Sequence, residues 1–338
     1  MNLKSIINVL ISIVLISVAV ICIINQEIIS SAVYLSMSRC VKRIIPSLFA
    51  MSVLSGIIQR TGALEFLFSK LRLNVGSLCC FIFGNIGGYP IGAKTVTDMV
   101  NQSKISKDIA ERVICYSFSC GPAFAISVSY AVYGNSICGF AAFISILISN
   151  FLLYVIHSLK SKDLKHSHTN HENFSTKLIV ECVLNSNNAM LLITAMIAIF
   201  SVFSEVLKIY FPEIFVSVIP SIFEISNLIT LNNLSLPCFT SLLALGGLCV
   251  LIQVSALVNS SFSLKRFYLT RLIQIPLASA VSLIIDYLFG LSRYICAYKP
   301  NHIYFSQSDS VIPMLCVIAM ISIVTVTKIK QRMVYAMR

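Results

Sequence analysis

The chain has 338 residues, 57% hydrophobic and 11% charged, with a mean hydropathy of +0.89 and a net charge of +12. A soluble protein carries about 25% charged residues, so this composition excludes a soluble enzyme or binding domain and predicts an all-α integral membrane protein. Nucleic acid is excluded as a partner too, because the basic residues sit in short loops and the tail, as the positive-inside rule describes, and not on one soluble face.

A bilayer-spanning helix needs roughly 20 mostly apolar residues, and the first such run is Ile6 to Ile24. Only Lys4 precedes it as a charge, and its apolar part exceeds the roughly 7–15 residues of a signal-peptide core, so a retained helix is expected. The second run, Ile44 to Ile58, is flanked on both ends by Arg39, Lys42, Arg43, Arg60, Lys70 and Arg72, so charge does not orient it.

Next comes FGNIGGYPIGAKTVTDM, Phe83 to Met99, with four glycines, a proline, a lysine and an aspartate in one membrane-sized window. Gly87 and Gly92 have Walker A spacing, but Ala93 stands where the lysine belongs and Lys94 comes one place late, so this is not a phosphate loop. Gly84, Gly88 and Gly92 recur every fourth residue, which suits close helix packing. Packing does not account for Pro90, which removes a backbone donor and leaves polar groups that hydrocarbon cannot satisfy. Lys94 and Asp98 are spaced to pair on a helix. Lys94 either snorkels to the interface with Asp98 in the following loop, or points inward and binds an anion or polar solute.

Ile109 to Val132 is an interrupted candidate, broken by SFSCGPAFA at Gly121 and Pro122, with Ser117, Ser119 and Cys120 just before the break. A break frees carbonyls on one half-helix and amides on the other, groups that can ligate ions or polar solutes, although a plain proline kink gives the same string. Ile137 to Ile156 is the next run. The hydrophilic connector Lys160 to Lys177 follows; His166, His168, His171 and Glu172 within it read as a solvated linker and not as a metal cluster. Asn185, Ser186, Asn187 and Asn188 then lead into the run Met190 to Val206, either as a cap at the cytoplasmic face or as solute-binding amides. Pro237 to Val258, Ile273 to Phe289 and Val311 to Val326 complete about eight transmembrane helices. Asp286 is expected to pair with Arg293 or face an aqueous vestibule.

Most of the 12 cysteines, such as Cys22, Cys79, Cys80, Cys249 and Cys316, lie in apolar runs as small hydrophobes, so neither disulfide framework, zinc site nor other metal site is expected. No catalytic triad or paired carboxylates are present, and no enzyme activity or cofactor is expected. Lys160, Lys162, Lys165 and Lys177 mark one cytoplasmic loop, Lys265, Arg266 and Arg271 a second, and Lys328, Lys330, Arg332 and Arg338 a cytoplasmic tail.

The connector divides the chain into two halves that echo one another. The helix from Cys40 resembles the one from Cys182, and Gly87 to Lys94 falls opposite Gly246, Gly247 and onward to Gln253. Repeats meeting at broken helices are the architecture of secondary transporters. If residues 78–100 cross fully the halves are parallel; if they enter and return the halves are inverted, which the glycines favour. The expected organisation is residues 1–38 as an N-terminal helix and amphipathic connector, 39–158 as a first repeat, 159–177 as a cytoplasmic linker, 178–262 as a second repeat, and 263–338 as C-terminal helices with a basic tail.

GGYPIGAK, the downstream GPAF break and the two-half layout resemble the sporulation integral membrane protein YlbJ family, within the wider nucleoside-recognition or Gate group. The resemblance covers roughly Arg39 to Val258, and Gly88 to Lys94 is its most specific part. It implies a multi-pass bacterial plasma-membrane protein needed for spore envelope assembly, with the lipid bilayer, a small polar solute, and a homo-oligomer or other sporulation membrane proteins as partners. Relatives tend to have asparagines before GPAF, where this chain has Phe118, Ser119 and Cys120, which bears on solute specificity. The expected site combines Asn85, Gly87, Gly88, Tyr89, Pro90, Gly92, Lys94 and Asp98 with Ser119, Gly121 and Pro122, and with Asn185, Asn187, Asn188, Gly246, Gly247 and Gln253. A transporter-like protein binding or moving a nucleoside-like solute or an ion is the first expectation; a non-transporting membrane scaffold is the alternative.

Overall fold

The computed structural model describes residues 3–63, 66, 75–160, 172–210, 219–231 and 234–291, and every regular element among them is helical. The run Val311 to Val326, the basic tail, Arg293 and most of the connector lie outside the described residues. Five helical stretches are long and apolar enough to cross a bilayer: Ser5–Ile24, Ser136–His157, Thr176–Tyr210, Leu236–Val258 and Lys265–Phe289.

Helix α1 (Leu3–Ile24) is apolar nearly all round and leaves residues such as Leu10 and Ile16 exposed, the surface of a helix whose solvent is hydrocarbon. Helix α2 (Gln26–Arg39) runs into α3 (Ile45–Thr61) through a π turn, Cys40–Ile44, where the Ile45 amide reaches back to the Cys40 carbonyl. Pro46 explains the turn: it has no amide, its ring would strike a carbonyl one turn back, and widening the helix relieves the clash. The path therefore stays helical through Pro46.

Helix α9 (Thr176–Tyr210) has 35 residues and lies antiparallel to this path, with Ser36 bonded to Ser201 at 3.0 Å, Ser52 to Ser186 at 2.9 Å, and Arg60 to Glu181 at 2.6 Å. Helices α4 (Val75–Gly87) and α5 (Ile91–Asn101) form a hairpin. A Cβ on Gly92 would lie 3.0 Å from the Gly84 Cα, whereas eight residues of continuous helix would separate them by about 12 Å. The segment enters and returns.

Helices α6 (Lys107–Tyr116) and α7 (Pro122–Tyr133) form a broken helix antiparallel to the 25-residue α8 (Ser136–Lys160): Ala125 meets Gly139, Phe118 meets Asn150, and Tyr116 meets His157. After α10 (Ile219–Phe223) and a 3₁₀ turn (Ile225–Thr230), the arrangement recurs. Helices α11 (Leu236–Leu245) and α12 (Gly247–Val258), broken at Gly246, lie antiparallel to the 25-residue α13 (Lys265–Phe289), with Ser279 near Pro237 and Tyr268 bonded to Ser255 at 2.7 Å.

The ends of these elements sort into two faces. Arg60 with Glu172, Lys104 with the Gln59 carbonyl, and Arg266 with Asp108 gather at the connector end, while Tyr133 and Leu234 meet at the opposite end. The apolar interior forms two clusters. One spans α4 to α8, the 3₁₀ turn and α11 to α13; the other joins Leu48 on α3 and Ile193 and Ile197 on α9 to Cys40, Ile91 and Cys249.

Candidate functional site

The hairpin tip and the α6–α7 break touch. Gly88 has φ +82° and Gly121 has φ +70°, a region that disfavours side chains, and a Cβ on Gly121 would sit 3.0 Å from the Gly88 Cα. Below this contact the Ser117 carbonyl enters a notch between Gly84 and Gly92, where Cβ atoms would lie 2.3 and 1.7 Å from its oxygen. Gly84 on α4 and Gly92 on α5 thus face each other across the hairpin and seat one backbone carbonyl from the end of α6; the expected stripe along one helix face does not form, because the turn at Gly88 interrupts it. Pro90 caps the start of α5 and Pro122 opens α7, so both prolines mark interruptions of helix, close in space.

The carbonyls freed at the end of α6 are occupied by protein. Asn85 donates to the Tyr116 carbonyl at 3.0 Å, Asn150 to that of Phe118 at 2.9 Å, and Arg271 to that of Cys115. The donors are linked: Asn150 donates to Asn85 Oδ1 at 2.7 Å, Gln274 to Asn150 Oδ1 at 3.3 Å, and Arg271 to Gln274 Oε1 at 3.0 Å. Arg271 is buried and its guanidinium lies 4.9 Å from the Phe118 ring centre and 5.1 Å from that of Phe267. It faces a helix C-terminus, whose partial negative charge and open carbonyls favour a cation. Two expectations are corrected. The break does not offer its carbonyls to a solute, and Arg271 does not mark a loop; it lies within α13, turned inward because α6 ends against it.

Beside the break lies a cavity of about 350 Å³, at the small end of the range for small-molecule sites. Gly87 and Tyr89 come from the hairpin tip and Gly121, Pro122 and Phe124 from the other break. Leu48 and Met51 on α3 and Ile193 and Ile197 on α9 form the facing wall, and Cys249, Val250 and Gln253 on α12 a third side. Glu224 and Ile225 close it. The Tyr89 hydroxyl donates to the Leu243 carbonyl at 2.8 Å, which fixes the ring in the wall. Gln253 is buried, and its amide donates to Cys249 Sγ at 3.3 Å; a thiol is a weak acceptor.

Of the residues expected in the site, Gly87, Tyr89, Gly121, Pro122 and Gln253 line the cavity. Gly88, Pro90, Gly92, Asn85 and Ser119 build its supports; Ser119 is buried and its hydroxyl accepts from the Gly121 amide at 3.4 Å. Gly246 and Gly247 form the α11–α12 break, with Gly246 against Phe118 and Tyr89. Lys94 is outside the cavity lining: its Nζ meets Asp98 at 3.0 Å, one turn toward the connector end. The asparagines do not converge there either. They fall inside α9, whose turn carries Asn185 and Asn188 outward while Ser186 and Asn187 face neighbouring helices, so they are not a cap.

Sequence reading missed Glu224, Asn150, Gln274 and Arg271. A lone amide within ISILISNFLLYV was the available signal for Asn150, because an unpaired polar group in an apolar span is costly. Glu224 lies in a stretch outside the candidate spans, where an acid is unremarked. In comparisons with known proteins the chain matches no family model, no curated protein and no solved structure.

Proposed function

We propose that this chain is a multi-pass membrane protein of the YlbJ-like, Gate-related kind, without enzymatic activity, whose cavity binds a small solute and passes it across the bacterial plasma membrane. The observation that carries the reading is the cavity itself, walled by both broken segments on one side and by α3 and α9 on the other. Broken helices at a solute site are the secondary-transporter arrangement.

Two inverted halves fit the order of elements: α2–α3, returning hairpin, broken helix and unbroken α8, then α9, the short α10 segment, a second broken helix and unbroken α13. The matched α3 and α9 run antiparallel, as inversion requires. In this correspondence the Gly246 break answers the Gly121 break, so the pairing of Gly87 with Gly246 is displaced by one element. With the apolar run at 311–326 the chain makes about eight crossings. The sporulation role rests on the resemblance of GYPIGAK and GPAF alone.

Screening small solutes for thermal stabilisation of the purified full chain tests the reading. A stabilising solute should lose its effect in Ala50→Phe, which places a ring at the exposed rim of the cavity without disturbing either core. A second reading, the non-transporting scaffold, is favoured by the internal satisfaction of the α6 carbonyls. It predicts no stabilising solute, and normal spore envelope assembly with Ala50→Phe at wild-type membrane abundance.

A further inference from the structure

Glu224 is 2% exposed and is the one acidic residue among those that line the cavity. Its oxygens accept from the Ser226 amide at 3.0 Å and from the Ser226 hydroxyl, both within its own turn. Among the described residues no lysine, arginine or histidine makes an ion pair with it. The Arg39 guanidinium donates to the Ser226 carbonyl at 3.5 Å.

A carboxylate has about four lone-pair positions, and Ser226 engages two. Burying an ionised carboxylate carries a penalty of several kcal/mol unless a partner offsets it. Capping the 3₁₀ turn does not require the charge, since serine, asparagine or glutamine offers the same acceptor. Something else should face the remaining lone pairs, and the cavity is where it would lie. The other walls are hydrocarbon, relieved by the amide of Gln253. They suit an apolar body. The donor set also disfavours a bare metal ion: no group of three His, Cys, Asp or Glu residues stands close enough to hold one among the described residues.

We propose that the cavity, read as the solute site above, selects a small apolar molecule bearing one organic cation, a protonated amine whose N–H groups meet Glu224. The apolar body sits against Leu48, Met51, Ile193 and Phe124, and the ammonium takes the end of the cavity closed by Glu224. In a desolvated pocket a charge-assisted hydrogen bond is about twice as strong as a neutral one, so charge, more than shape, decides the selection.

The test uses three probes with one ring and three charges: benzylamine, protonated at neutral pH, benzyl alcohol and benzoate. Their affinities for the purified full chain are read by thermal stabilisation at constant ionic strength. Benzylamine should bind about tenfold or more tightly than benzyl alcohol, and benzoate should bind least. Glu224→Gln keeps the size of the side chain and an acceptor for the Ser226 amide; it should abolish the amine preference and leave the alcohol unchanged. Equal binding of amine and alcohol to the wild-type chain overturns the charge selection while the solute site stands, and this comparison needs no variant to fold. An amine preference that survives in Glu224→Gln overturns it too. Stabilisation by none of the three, together with normal function of Ala50→Phe, overturns both the selection and the solute site.

Discussion

Gly92 has no space for a methyl group, since its Cβ would lie 1.7 Å from the Ser117 oxygen and that oxygen belongs to backbone. Gly92→Ala must push α5 away from the end of α6, and overpacking of this kind costs about 1–3 kcal/mol or more. A marked drop in the melting temperature of the detergent-purified protein should follow. Gly56→Ala is the contrast: its Cβ would meet the Cys182 sulfur at 3.3 Å, a side chain able to yield, and the melting temperature should barely move. Asn150→Leu should resemble Gly92→Ala, because it strips donors from the Phe118 carbonyl and Asn85 Oδ1 in a buried place, at about 1–3 kcal/mol for an unsatisfied group. Arg271→Lys should be damaging as well, since one ammonium cannot reproduce the fork that serves both the Cys115 carbonyl and Gln274. Lys94→Gln, by comparison, removes a partly exposed pair with Asp98 and should change stability by less than about 1 kcal/mol.

Among the elements, what could be read from the chain was whatever local chemistry dictates. Gly88, Pro90, Gly121 and Pro122 announce breaks because φ and the missing amide are properties of those residues themselves. The returning hairpin followed from the same logic. The faces of α9 did not, because which asparagine turns inward depends on where α3 packs, and a cluster of four polar residues looks like a cap until the helix is seen to run through it. Arg271 resembled a loop charge for a related reason: only the neighbouring end of α6 makes its burial tolerable. The connector end has its own fastening. Arg60 holds Glu172 at 2.6 and 2.8 Å and Glu181 at 2.6 Å, and this guanidinium keeps the Glu172 carboxyl below the usual carboxylate range. A lowered carboxyl contributes stability that is present above its unfolded value near about 4.3 and lost as pH falls through the folded value. Protease access to the start of α9 should therefore rise on acidification below about pH 4, and Glu172→Gln should show the higher access already at neutral pH. Glu172 is half exposed, so the effect should be modest and weaken with salt.

For the molecule as a whole, the sorting of contacts into two ends predicts sidedness directly. In a background cleared of reactive thiols, Gln102→Cys and Asn135→Cys should be labelled from opposite sides of the membrane, with residue 102 on the connector's side; labelling of both from one side would overturn the course traced for α6 and α7. The division of the interior has a mechanical meaning. Close-packed side chains resist internal deformation, so relative motion is easiest where one packed body ends and another begins. The Ser117 carbonyl in its glycine notch rivets the hairpin to the broken helix, which leaves the boundary with α3 and α9 as the plane of least resistance. The cavity lies in that plane. Helices α5 and α12 each give residues to both bodies, Ile91 and Cys249 to one and Val96 and Val254 to the other. They are the axles on which one body would rock against its neighbour, and a disulfide or crosslink between α3 and α7 would stop that rocking while leaving each body folded.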